Sequence, residues 1–269
     1  LLHGFAWSDL IPVSLLTLGL ILATMVLFDI PLASLAQILP DEVNHWAERL
    51  SILGSSGPYF LVCGLGWIAL RLGAKDEFGD KLRNYSWALM LVICALIVSG
   101  VATNILKLIF AHLRPQDYFG SKGRIGFHFL HLDMIGSGFL RSFRRSYSFP
   151  SGHTTTAFAL ATVAVAYWPR FRLYLFSAAG VVGALRVLSL DHWPSDILAG
   201  ALVGMVTAEY TIAIFNHAGV GPAAVWARQA TIDQRLKWQP KGDYRALARN
   251  WKHWLRMRPF SELDKGSGR

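Results

Sequence analysis

Charge is scarce in this chain. Only 16% of its 269 residues are Asp, Glu, Lys or Arg, against roughly a quarter in a soluble globular domain. Acidic residues are scarcer still, 17 against 26 Lys and Arg. Cysteine is almost missing: Cys63 and Cys94 are the only two, and both stand inside apolar runs. Two such residues make no disulfide framework and read as small core side chains. No segment recurs at a fixed period, so a repeat architecture has no support.

What fills the space is apolar. Hydrophobic residues make up 53% of the chain, with ten tryptophans, and mean hydropathy is +0.37. The apolar residues come in six runs, near 10–30, 57–72, 85–110, 154–169, 171–190 and 195–216. Each approaches the ~20 residues that a helix needs to cross a bilayer. These runs predict an all-α polytopic membrane protein of six transmembrane helices over residues 1–216, followed by a basic tail at 217–269. The first run has no basic stretch ahead of it and exceeds a secretory hydrophobic core, so it reads as a retained helix.

Lysine and arginine in the short loops set the orientation. Segment 71–83 holds four, the link after the fourth run holds Arg170 and Arg172, and the tail holds eleven against four acidic residues. All three fall on the cytoplasmic side if six helices begin and end there. The first loop, 31–56, carries only Arg49 against Asp41, Glu42 and Glu48, as an external loop should. Loop 116–149 breaks the pattern, because it lies outside by this count yet carries Lys122, Arg124, Arg141, Arg144 and Arg145. Two readings stand: an anionic ligand or lipid headgroup near the loop, or a segment tolerated because other loops fix the helices.

Polar groups at span ends are expensive and therefore functional candidates. The third run ends in "NILKLIFAHLRP". A helix continued through it would set Lys107 and Arg114 on one face, about 10 Å apart along the axis, with Pro115 turning the chain out. Snorkelling explains Arg114 easily and Lys107, two turns deeper, poorly. The fourth run opens with Pro150-Ser151-Gly152-His153, where Ser151 is a natural N-cap and the free N–H groups of Gly152 and His153 face a helix N-terminus suited to anions. The fifth ends at Arg186, and the sixth begins after His192 and Pro194 with Asp196 in its first turn. An aspartate near a histidine can fix its tautomer. By the predicted topology these pieces share the outer face, where guanidinium groups match a phosphate.

Taken in order, Lys107-x6-Arg114-Pro115, Pro150-Ser151-Gly152-His153 and Arg186-x5-His192-x3-Asp196 resemble the three motifs of the type 2 phosphatidic acid phosphatase (PAP2) superfamily. Leu185 stands where the third motif usually has serine, a change beside the chemical groups rather than among them. The resemblance implies that His192 attacks phosphorus to give a phosphohistidine, with Asp196 holding its other ring nitrogen. His153 would protonate the leaving alkoxide and then activate water. Lys107, Arg114, Ser151, Gly152 and Arg186 would bind the phosphoryl oxygens, with no metal and no other cofactor. The implied activity is an integral-membrane lipid phosphatase acting on a phosphorylated lipid of the outer leaflet. Phosphatidate, phosphatidylglycerol phosphate, polyprenyl pyrophosphate and lipid A phosphate all fit. The short links and the "HWPSDILAGA" wording favour a bacterial inner membrane with the site facing the periplasm. Arg141, Arg144 and Arg145, just before the catalytic turn, are candidates for a second anionic group of the headgroup.

Rival readings are a lipid phosphotransferase using the same phosphohistidine, and a transporter or scaffold with a degenerate pocket. The latter is disfavoured by the presence of Lys107, His153, His192 and Asp196. Weaker candidates remain. His128, His131 and Asp133 have spacings open to a metal, a frequent false positive. His112 would fall on the flank opposite Lys107 and read as interfacial packing. Glu209 lies toward the cytoplasmic end of the sixth span, where it pairs or snorkels. The tail's Trp226, Trp238, Trp251 and Trp254, interleaved with basic residues, suit a lipid surface better than nucleic acid.

Overall fold

The computed structural model describes residues 7–73, 79–120, 127–129 and 147–226. Helices α1 (Trp7–Leu27), α2 (Asp29–Gln37) and α3 (Asp41–Leu50) lead through a 3-10 turn at Ser51–Gly54 into α4 (Ser56–Gly73) and the long α5 (Gly79–Ile109). A strand β1 (Phe110–His112), a short helix α6 (Pro115–Gly120) and a strand β2 (Phe127–Phe129) follow. The chain then forms α7 (Gly152–Tyr167), α8 (Arg172–Leu188) and α9 (Pro194–His217). The expected all-α class holds. Among the described residues its one departure is the antiparallel ribbon of β1 and β2, with Ala111 opposite His128.

The helices match the apolar runs, but not as six regular spans. Among the described residues, four segments are long and apolar enough to cross a bilayer: 41–73, 85–109, 169–188 and 194–217. α1 and α2 pass the same test only together, bent by 51°. Pro31 explains the break, because a proline in the first turn of α2 has no N–H and its ring would clash with the Leu27 carbonyl of a continuous helix. α7 has 16 residues, which is about 24 Å of helix against the ~30 Å hydrocarbon core. Two helices, α2 and α3, also occupy what the sequence offered as a loop.

α7 is the centre of the packing. One side meets Leu91 and Ala95 of α5 and Ala208 and Ile212 of α9 through Ala159 and Val163. The other meets Ala179 and Val182 of α8 through Ala157 and Ala161. Small residues let the backbones approach: a Cβ on Gly200 would stand 2.6 Å from the Ser151 carbonyl oxygen, and one on Gly204 would stand 3.0 Å from the Ala159 nitrogen. Close approach through small residues is how helices associate in lipid, where burial of apolar surface drives little. Large apolar side chains such as Leu16, Val62, Val101, Leu173 and Ile214 face outward, as a lipid-facing surface requires.

Candidate active site at the ends of α5, α7 and α8

Lys107 sits in the last turn of α5 and its Nζ donates to the Tyr147 carbonyl and, at 3.4 Å, to that of Ser148. Arg114 does not share its helix face. α5 ends at Ile109, and β1 carries the chain away before Arg114. Pairing of Phe110 with Phe129 and of His112 with Phe127 holds this departure, and Pro115 disfavours helix at Arg114. The guanidinium instead reaches across to Asp191, Nη1 to Oδ1 at 2.7 Å.

The second piece folds as its sequence suggests. Ser151 caps α7, accepting from the Thr154 N–H at 3.4 Å and from the Thr154 hydroxyl at 2.9 Å. It is buried and lines neither cavity described below. Gly152 and His153 do line a cavity of about 240 Å³ with Lys107, Thr103, Asn104 and Ser55. His153 also borders a second, of about 470 Å³, shared with Arg114, Arg186 and Asp191. Gly54 backs this histidine, since a Cβ there would come within 2.8 Å of the His153 Cβ.

The third piece is a folded-back turn. Arg186 ends α8, donating from Nη1 to Ser51 Oγ at 2.8 Å and pairing through Nη2 with Asp191 Oδ2 at 2.9 Å. Leu190 takes a left-handed φ of 57°, costing about 1–2 kcal/mol for a residue with a Cβ. Its carbonyl accepts from the Gln116 N–H at 3.2 Å. The turn delivers Asp191 to two arginines and His192 to the interior. His192, 2% exposed, places Nδ1 3.4 Å from Asp196 Oδ2 and 3.3 Å from Ser148 Oγ. Asp196, wholly buried, also accepts the Ser148 hydroxyl and the Trp193 N–H at 2.8 Å. With Nδ1 committed to the carboxylate, Nε2 is the ring nitrogen left for chemistry.

Burial disfavours the charged form of both imidazoles. His192, in the turn before α9, is pushed below the ordinary histidine range by desolvation, partly opposed by its hydrogen bond to Asp196. His153 is lowered to about 4 by burial first and then by the charge of Arg186.

Five residues belong here that the sequence reading did not assign. His112 is buried, not interfacial. Its Nδ1 lies 3.5 Å from Asp196 Oδ1, and its ring stacks on Trp193 at 5.8 Å. Its place follows from the strand that replaces the expected helix end. Ser148, Asp191 and Ser51 supply the contacts given above. Asp29 of α2 accepts the Ser195 N–H at 2.8 Å and its hydroxyl at 2.6 Å, anchoring the first turn of α9. Asp191 adjoins His192 and was legible as a neighbour; Asp29 and Ser51 pair across 166 and 135 residues with no local signal.

Arg141, Arg144 and Arg145 lie outside the described residues, as do His131 and Asp133, while His128 falls on β2. Glu209 lies on the exposed flank of α9. Trp226 donates to the Ala166 carbonyl at 3.1 Å; Trp238, Trp251 and Trp254 lie outside the described residues.

Residues 88–219, which include all three motif segments, match the sequence model of the PAP2 superfamily. A lipid A 1-phosphatase of Rhizobium johnstonii is 28% identical over 208 residues, 76% of this chain and 80% of its own length. A second protein of that description, from Rhizobium etli, is 27% identical over 76% of this chain and 84% of its own. Among solved structures, the transmembrane PAP2-type phosphatidylglycerolphosphate phosphatase of Bacillus subtilis shares the fold with a TM-score of 0.52, at 17% identity over 77% of this chain and 96% of that one. The motif order, the fold and the relatives agree, and residues 88–219 of this membrane chain belong to the PAP2 superfamily.

Proposed function

We propose that this membrane phosphoric monoester hydrolase removes the 1-phosphate of lipid A, working from the outer leaflet through a phosphohistidine. One observation supports the chemistry above the rest: Arg114 and Arg186 close on a single carboxylate, that of Asp191, at 2.7 and 2.9 Å, next to the buried His192–Asp196 pair. Two guanidiniums around one oxyanion mark a site where phosphoryl oxygens fit. The substrate reading rests on the two lipid A 1-phosphatases that align over three quarters of the chain.

In this mechanism His192 Nε2 attacks phosphorus while the bond from phosphorus to the sugar oxygen breaks. Asp196 stabilises the cation that forms on the ring. His153 gives its proton to the departing oxygen, then takes one from the water that attacks the phosphohistidine, so the second step releases inorganic phosphate and restores neutral His192. Lys107, Arg114, Arg186 and the Gly152 N–H offset charge on the phosphoryl oxygens, which is where most of the rate enhancement arises. Ser151 sets the first turn of α7, so its substitution acts through Gly152 and His153.

The test is a brief reaction with lipid A carrying a labelled 1-phosphate, followed by denaturation. Acid-labile, base-stable label is expected on the wild type and absent from His192→Ala, while His153→Ala turns over slowly. Label retained by His192→Ala removes the nucleophile assignment; phosphate released from phosphatidate but not from lipid A removes the substrate.

A further inference from the structure

The larger cavity has two walls of different origin. Arg114, His153, Arg186 and Asp191 form one; His45, Glu48, Arg49, Ser51 and Ile52, from α3 and the turn after it, form the other. α3 is held in register with the phosphoryl site rather than merely near it. Ser51, just beyond its last residue, accepts the Arg186 hydrogen bond at 2.8 Å, and Gly54 packs directly on His153. Ala47 turns inward, while His45, Glu48 and Arg49 are exposed. The Arg49 guanidinium lies 5.4 Å from the centre of the Trp46 ring, which limits its freedom at the rim.

The chemistry of that wall selects a guest. His153 protonates the leaving oxygen in the mechanism above, so whatever that oxygen is attached to starts at His153 and extends into the cavity. At about 470 Å³ the space falls in the range of small-ligand sites. Glu48 is acceptor-only when ionised, His45 offers one donor and one acceptor, and Arg49 only donates. An acyl glycerol presents ester carbonyls, which give Glu48 no donor and leave its charge facing acceptors. A sugar ring presents hydroxyl and amide N–H donors together with acceptors, and so satisfies all three side chains.

We infer that α3 forms a headgroup subsite, in which Glu48, His45 and Arg49 bind the hydroxyl- and amide-bearing sugar whose phosphate occupies the Arg114–Arg186 site. The inference rests on the lipid A reading above and adds the element that reads the leaving group. Glu48 faces the cavity opposite Arg186, and its carboxylate accepts from the ring nearest the scissile bond. His45, one helical turn earlier, reaches the part of the ring further out.

The experiment compares kcat/KM for phosphate release by the purified full chain from two lipids of matched acyl length: an acylated glucosamine 1-phosphate and phosphatidate. The wild type is expected to prefer the sugar lipid. Glu48→Ala should lower the ratio of the two kcat/KM values about tenfold, and His45→Ala several-fold. Glu48→Gln, which preserves shape should the alanine variant misfold, should lower it several-fold. Glu42→Ala, an exposed acidic residue of the same helix outside the cavity wall, should leave the ratio unchanged. A wild type that prefers the sugar lipid and keeps its preference in Glu48→Ala and Glu48→Gln overturns the subsite alone. An equal fall of the ratio in Glu42→Ala replaces it with bulk charge on α3. A wild type that releases phosphate only from phosphatidate overturns the substrate reading and the sugar subsite with it.

Discussion

Asp191, the residue before the proposed nucleophile, has a role of its own. Its carboxylate pairs with both Arg114 and Arg186 and receives the Ser189 hydroxyl at 2.8 Å, so in the proposed mechanism phosphate competes with an anion already in place. Asp191→Asn removes that competing charge. The inhibition constant for inorganic phosphate is expected to fall about fivefold, equivalent to ~1 kcal/mol, measured by competitive inhibition of turnover; a rise would mean that the carboxylate serves only to position the arginines. His112 acts one layer further back, through Asp196. For His112→Ala, kcat should drop about tenfold with KM nearly constant, because the contact made through Asp196 strengthens as charge develops on His192; a change confined to KM would remove it from the relay. The pH profile follows from burial. His192 must be neutral to attack, and desolvation lowers its proton affinity, so kcat/KM should stay high as pH falls past 6.5, the ordinary histidine value, and decline only below it. An acid limb at or above 6.5 contradicts a buried, uncharged nucleophile.

Helix α7 depends on glycines of α9 for its position, and two substitutions separate packing from catalysis. Gly204→Val would drive a side chain toward Ala159 and Phe158, where even a Cβ stands 3.0–3.1 Å away, and overpacking of this kind costs ~1–3 kcal/mol. A lower thermal midpoint in detergent is expected. Gly180→Ala, whose Cβ meets nothing within 4 Å, should match or exceed the wild type, since alanine favours helix over glycine by ~1 kcal/mol. Equal losses in both would deny the close α7–α9 contact. These contacts also mark what was legible beforehand. The bounds of α4, α8 and α9 fall within two residues of the runs 57–72, 171–190 and 195–216, because a lipid-facing helix writes its length directly into apolar sequence. α2 and α3 left no such record, being short and partly polar. The departure of Arg114 from the α5 axis depends on pairing between residues 110–112 and 127–129, which hydropathy does not report. In the site, the structure brings Arg114 and Arg186 together on Asp191 and His192 beside Asp196, while the contacts of Ser51, Asp29 and His112 came only with the tertiary structure.

The molecule carries different chemistry at its two ends, and that fixes a test of orientation. At one end stand α3, the cavities and the turns bearing His153 and His192. At the other, Arg71 stacks 4.8 Å from the centre of the Trp87 ring, Arg170 lies 4.6 Å from that of Phe171, and Trp168 is 57% exposed. Paired aromatics and cations of this kind gather at a membrane–water interface, and basic loops stay cytoplasmic. The α3 end carries Asp41, Glu42 and Glu48, the charge expected on the far side. In a Cys63→Ala, Cys94→Ala background, Glu42→Cys and Arg170→Cys therefore report opposite compartments. An impermeant thiol reagent should label the cysteine at 42 in intact spheroplasts and the one at 170 only after lysis. The reverse pattern would place both arginines of the phosphoryl site in the cytoplasm, where the substrate would be an inner-leaflet lipid. With the proposed sugar lipid as substrate, the expected pattern requires that this lipid be presented in the outer leaflet before its phosphate is removed.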